Sequence, residues 1–256
     1  MIDLGAGDEQ FRDDRGDADP AVASALAAFA AGTGAEHAAL AALASSRLLV
    51  PVVAVLAGEA GPADSPSVSP AADGAEPGGR VPGLPGVSGA EKASEMAMPV
   101  VVGRDGRRAL PAFTSAAALR QWKPDGRPVP VRASGVWQSA VQEHCAVIID
   151  IAGPVPLAVE GARLAALSAG TPVPALFEDP DVWQLVADTA AEFVPGVRVR
   201  LTEPRGALDF TLELAPPQGA DLAVPEAAAS QIGDAVTQRL AGRARAGIAV
   251  VVRPPA

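Results

Sequence analysis

The chain has 256 residues, 49% of them apolar, enough for a sizeable core in one or two domains; aromatics are only 4% and Tyr is absent, so Val, Leu, Ile and Ala must build that core. A net charge of −10 argues against free nucleic acid as a ligand of the whole molecule, and no DNA binding is expected. The single Cys excludes an intramolecular disulfide and a Cys-rich zinc site.

The first 20 residues lack the basic start and apolar run of a signal peptide. Residues 1–19 hold seven acids against Arg12 and Arg15 and predict a disordered acidic tail, because so few apolar groups cannot offset the entropy of ordering. Asp19-Pro20 predicts a helix start, with Asp as the cap and Pro at the first helical position; Val22, Leu26 and Phe29 share a face. Gly32 and Gly34 end that pattern, and Leu40 and Leu43 mark a second short helix. Arg47 to Leu56 is a β-branched run and an expected strand, which Pro51 assigns to a sheet edge or a bulge. The longest apolar run, Leu48 to Ala57, is about half a membrane span, so no membrane partner and a cytoplasmic location are expected. Residues 57–95 are dense in Gly, Pro, Ser and Ala and predict a disordered insertion within the first domain.

A hairpin is expected from Val100–Val102 and Arg108–Phe113, turning at Asp105-Gly106. Thr114 or Ser115 can cap the helix that follows, which ends near Trp122. Val129 to Ala133 alternates as a strand, and Val136 to His144 reads as a helix with Val136, Ala140 and Val141 inward. Ala146 to Ile151 is a buried strand stopped by Gly153-Pro154, and a short helix spans Gly161 to Ser168. After a connection at 171–177, Asp179-Pro180 repeats the helix-start signal, and Val182, Leu185, Val186, Thr189 and Phe193 form an apolar stripe. A second hairpin (197–201 and 207–214), a helix after Pro225 with Ile232, Val236 and Leu240 inward, and a strand at 248–252 complete the chain.

The segment Met98 to Trp122, with Pro111-Ala112-Phe113-Thr114-Ser115 between hairpin and helix, resembles the N-terminal domain of SseB-like proteins, the enhanced serine sensitivity family. Ala42 to Val52 is similar to that family's helix leading into a Val-Pro-Val strand, and Ile149-Asp150 with Ala152-Gly153 to its closing strand and turn. Family members often carry acids after the Thr-Ser cap, where this chain has Ala116 to Ala118. The resemblance covers about residues 20–170 and implies an α+β fold and a cytoplasmic protein; it implies no reaction and no catalytic residues. The expected fold class is therefore α+β: an SseB-like domain at 20–170 carrying the insertion, then a smaller α-β-β-α-β domain at 176–254.

Catalytic constellations are thin. His144 and Cys145 are neighbours whose side chains diverge by about 100° on a helix and point apart on a strand, so a relay between them is disfavoured and Cys145 reads as a small hydrophobe. With two His residues and no phosphate-binding glycine loop, neither metal nor cofactor is expected. Asp150 ends an apolar strand, where it can be an active-site carboxylate or cap the Ala152-Gly153 turn; the turn role is favoured. Trp122, Trp137 and Trp183 follow helical apolar patterns and read as core. Against these stands one charge asymmetry: Arg104, Arg107, Arg108, Arg120, Lys123, Arg127 and Arg132 face only Asp105 and Asp125 across residues 100–132. The first expectation is a non-catalytic protein-interaction or regulatory module with a protein partner. The second is an RNA- or ribosome-associated accessory protein using that basic segment, and an enzyme of unknown type comes third. If the acidic tail competes for the basic segment, deleting residues 1–19 strengthens binding to an anionic partner, and an unchanged affinity in a titration rejects the idea.

Overall fold

The structure, a computed structural model, describes residues 11–56, 94–97, 99–220 and 222–255, without the side chains of 53–56 and 94–97. The expected disorder of residues 1–10 and 57–93 lies outside the described residues.

Helix α1 (Pro20–Ala30) starts as expected: an Asp19 carboxylate oxygen accepts from the Ala21 N–H at 2.8 Å, and Val22 and Phe29 are buried. Helix α2 (Glu36–Ala44) buries Ala39, Leu40 and Leu43. Strand β1 (Arg47–Leu56) then pairs antiparallel with β2 (Ser94–Ala97) over its last four residues. Residues 94 and 95, the last two of the expected insertion, belong to β2.

Strands β3 (Val101–Val102) and β4 (Arg108–Ala112) form the first hairpin. Its loop spans 103–107 rather than two residues, and only Gly106 takes a positive φ, 79°. Helix α3 (Ala116–Trp122) is capped by Ser115, and strand β5 (Arg127–Arg132) returns antiparallel to β1. Helix α4 (Ala133–Gln142) buries Val136, Trp137 and Ala140, but Val141 is 44% exposed, against expectation. Five residues after Val136, it lies about 140° round the helix from it. Strand β6 (Ala146–Ile149) runs parallel to β4, and β7 (Leu157–Val159), which the sequence reading lacked, pairs antiparallel with β6. β6 stops at Asp150, whose φ is 47°, earlier than Gly153-Pro154. Helix α5 (Gly161–Ala169) packs beside α4.

Two sheets thus build this half, ordered β2-β1-β5 and β3-β4-β6-β7. Among the described residues their strands meet where Leu49 and Phe113 exchange both backbone hydrogen bonds, at 2.8 and 2.9 Å. That exchange also explains Pro51. The strand is central in its sheet, not at an edge. Leu49 turns its N–H and C=O toward β4, so in the alternating antiparallel ladder Pro51 also turns its N away from β5. The missing N–H falls between the partners at Leu49 and Val53 and leaves no ladder bond unmade. By the same parity Pro128 and Pro130, opposite Pro51 and Leu49, place their donor-free nitrogens along the outer edge of β5.

Residues 11–19, expected to be disordered, are docked. Asp14 lies 2.6 Å from the Arg47 guanidinium, and the Ala116 N–H donates to the Gly16 carbonyl at 2.7 Å. Arg47, paired with Asp14 and donating to the Asp17 carbonyl, and a backbone bond at the head of α3 hold this segment.

The second half follows the expected order: α6 (Pro180–Phe193), β8 (Arg198–Thr202), β9 (Phe210–Ala215), α7 (Glu226–Arg239) and β10 (Ile248–Val252). β9 is central, antiparallel to β8 and parallel to β10. Phe210, Leu212 and Leu214 pack against Val182, Val186, Ile232 and Val236 of the two helices. Phe193 ends α6 at 39% exposure, and Ala190 takes the buried place. Trp183 is 48% exposed and is not core. Trp122 is half-buried against Phe113, ring centroids 5.5 Å apart. Only Trp137 is enclosed, and its indole N–H finds no acceptor among the described residues.

Trp137→Ala should cost about 3–5 kcal/mol in urea unfolding, whereas Trp137→Phe, which drops an unsatisfied N–H, should cost less than about 1.5 kcal/mol.

Candidate partner-binding site

The seven basic residues divide among three elements. Arg104, Arg107 and Arg108 sit around the β3–β4 loop, Arg120 and Lys123 on and after α3, and Arg127 and Arg132 at the two ends of β5. Arg107 is engaged twice, by Asp105 at 2.6 Å and by Glu160 at 2.8 Å. Arg104, Arg108, Arg120 and Arg127 are exposed. The loop and α3 lie at opposite ends of β4, so the seven do not form one continuous strip. Of the docked segment, Phe11 shares a small cavity with Arg132 and Arg47.

The candidate catalytic groups are structurally engaged. Cys145 is buried, its Sγ 3.8 Å from the Ala140 carbonyl, and burial pushes its thiol pKa up, away from the reactive thiolate. Asp150 does not cap the following turn with its side chain. One oxygen accepts from the Thr114 N–H at 2.9 Å and the other from the Thr114 hydroxyl at 2.6 Å, tying the end of β6 to the end of β4. Burial raises the Asp150 pKa, although both Thr114 bonds favour the carboxylate.

The strongest electrostatic feature joins the two halves. Glu36, at the start of α2, is 2% exposed. It accepts from Arg163 of α5 at 2.6 Å and from the Arg243 Nε and Nη2 at 3.0 and 2.8 Å. Arg243, just past α7, also donates at 2.5 Å to Asp179, the fully buried cap of α6. Burial lowers the Arg163 pKa despite Glu36, whereas for Arg243 two carboxylates outweigh burial and raise it; both stay charged at ordinary pH. Next to this chain, Asp181 of α6 accepts from the Ala162 N–H at 2.7 Å and so caps α5 across the junction. Gly161 is required there: its φ is 60°, and a Cβ would stand 2.0 Å from the Asp181 carboxylate. Arg245 completes the contact, its guanidinium 5.0 Å from the centre of the Phe29 ring. A cleft of about 670 Å³ opens between the halves, and its arginines 107, 163, 239 and 243 each already face a carboxylate.

A surface with unused bonding capacity among the described residues is the outer edge of β10. Gly247 accepts from Asp209 and Arg253 donates to Leu214, both at 2.8 Å, so odd-numbered residues face β9. Ile248, Val250 and Val252 therefore aim their N–H and C=O groups outward, where no partner meets them among the described residues. Beside this edge runs a groove of about 570 Å³. Its wall is the α7 face of Glu226, Ala229, Ser230, Gly233, Asp234 and Thr237, spaced at three and four residues; its floor is Ile248, Val250 and Val252. The small residues of that face make the hollow, and a Cβ on Gly233 would stand 2.8 Å from Val250. Four of the other five edges are blunted: β5 by its prolines, β8 by Arg198 and Arg200, β3 and β7 by lengths of two and three residues. The sequence reading took Ile232, Val236 and Leu240 as the informative face of α7; the signal it missed was the complementary small-residue face.

Fold and junction define a two-part α+β protein whose halves are joined by buried ion pairs. A family model described as the SseB protein N-terminal domain matches residues 22–184, and the chain belongs to that family. No curated protein and no solved structure matches it. Among the described residues no helix is long and apolar enough to cross a membrane.

Glu36→Ala should destabilise the chain by about 3–5 kcal/mol in urea, because it strands the Arg163 charge, and adding Arg163→Met should recover part of that loss.

Proposed function

We propose that this SseB family member is a non-catalytic protein-interaction module that takes an extended segment of a partner onto the outer edge of β10. The observation that carries the reading is a five-residue, charge-free edge strand with three outward N–H and three outward C=O groups beside a groove. Strand addition uses such an edge: main-chain bonds supply affinity and the groove supplies selection. Binding through the basic segment to RNA or a ribosome would need its cations to converge, and they are divided among three elements with Arg107 held by two carboxylates.

Val250→Pro deletes the central outward N–H while keeping an apolar residue on the groove floor. Capture of the partner by the tagged full chain should be lost with Val250→Pro and kept with the Arg107→Glu, Arg108→Glu double variant. In the wild-type complex, amide exchange should slow at Ile248, Val250 and Val252. Loss only in the arginine variant, or unchanged exchange along β10, would overturn the reading in favour of the basic segment.

A further inference from the structure

The groove has a sign. Its lining contains two exposed carboxylates, Glu226 and Asp234, and no basic residue. Arg253, at the strand's end, is engaged by Glu213 on the central strand. We infer that the occupant of this edge is an extended partner segment with a basic residue at each end of an apolar one, in the order basic-x-apolar-x-basic. This inference rests on the reading of β10 as the docking edge and adds the partner's chemistry.

The spacing follows from two rises. Glu226 and Asp234 are eight residues apart on α7, about 12 Å along its axis. An extended chain covers about 3.3 Å per residue, so two side chains on one strand face span that distance when four residues apart. The residue midway between them points to the same side. It meets the wall at Ala229, Ser230 and Gly233, where the helix surface is hollow and the Val250 side chain forms the floor. Alternate residues face away from the groove and carry no requirement. A second copy of this chain is disfavoured as occupant, because pairing two β10 edges across a two-fold axis would bring two Glu226–Asp234 walls of like charge together.

The probes are nine-residue synthetic peptides centred on Lys-Thr-Val-Thr-Lys, on Glu-Thr-Val-Thr-Glu, and on the same-composition Lys-Lys-Thr-Val-Thr, titrated into the full-length chain by amide NMR. The first should bind about tenfold tighter than the other two at low salt, with shifts at residues 248–252, and Asp234→Lys should remove that advantage. Ser230→Trp, an exposed position that fills the hollow without touching the core, should abolish binding even where Val250→Pro disturbs folding. Equal binding of all three peptides, lost with Ser230→Trp, would overturn the basic partner while leaving strand addition standing. No binding of any peptide, with a dimer in sedimentation that Ser230→Trp dissociates, would assign the edge to a second copy and overturn the inference. Shifts confined to residues 104–108 would overturn both readings together.

Discussion

Glu36 carries a negative charge to a place almost closed to water, and the arrangement of the molecule follows from what must surround it. A buried carboxylate is tolerated only when its lone pairs are met, and here a guanidinium from each half meets them. The geometry is demanding. Arg163 is oriented by α5, Arg243 by the turn after α7, and Asp179 by its own role as the cap of α6. The Glu36–Arg243 pair, which crosses from one half to the other, is lost if the halves shift by even a side-chain width. The junction therefore contributes little net stability as a set of charges but strongly specifies one relative placement. The cross-domain cap of α5 by Asp181 adds a second constraint of the same kind, since it needs both the Gly161 backbone and the first turn of α6.

This rigidity bears on the proposed docking edge. β10 follows the Arg243–Gly247 turn directly, and the Asp209 carboxylate fixes that turn by accepting from the Ala246 and Gly247 N–H groups at 2.7 and 3.0 Å. The edge strand is thus anchored at the end nearest the junction and open along its length. A preformed edge costs little conformational entropy on binding, which suits a surface whose affinity comes from main-chain hydrogen bonds.

Local signals were legible in the sequence, and distant pairings were not. Asp-Pro at 19–20 and 179–180, the apolar stripe of α6 and the β-branched runs of β1 and β10 are short-range patterns, and each marks an element that is present. Pro51 misled because an edge was the commonest way to hide a missing N–H, whereas here a change of neighbour along one strand does so. Glu36 gave no warning: in sequence it is one acid before an Ala-Leu helix, and its partners lie 127 and 207 residues away. Asp150 gave half a warning, since its position at a strand end was visible but its Thr114 partner was not. The docking edge was hidden for a related reason. A strand's free side depends on which neighbours it has, and the order β10-β9-β8 is a property of the whole sheet.

The register of β1 with β2 has a practical meaning for anyone building on this chain. Leu56 stands directly opposite Ser94, so the two ends of the intervening stretch are neighbours in a paired ribbon, roughly 5 Å apart. Whatever is connected there needs only closely spaced ends. The position is a natural splice point: a fluorescent reporter or an affinity module with adjacent termini can replace residues 57–93 at a closure cost that grows only logarithmically with length. Such a chimera would carry its label on the N-terminal half, leaving β10 and its groove on the other half open to a partner.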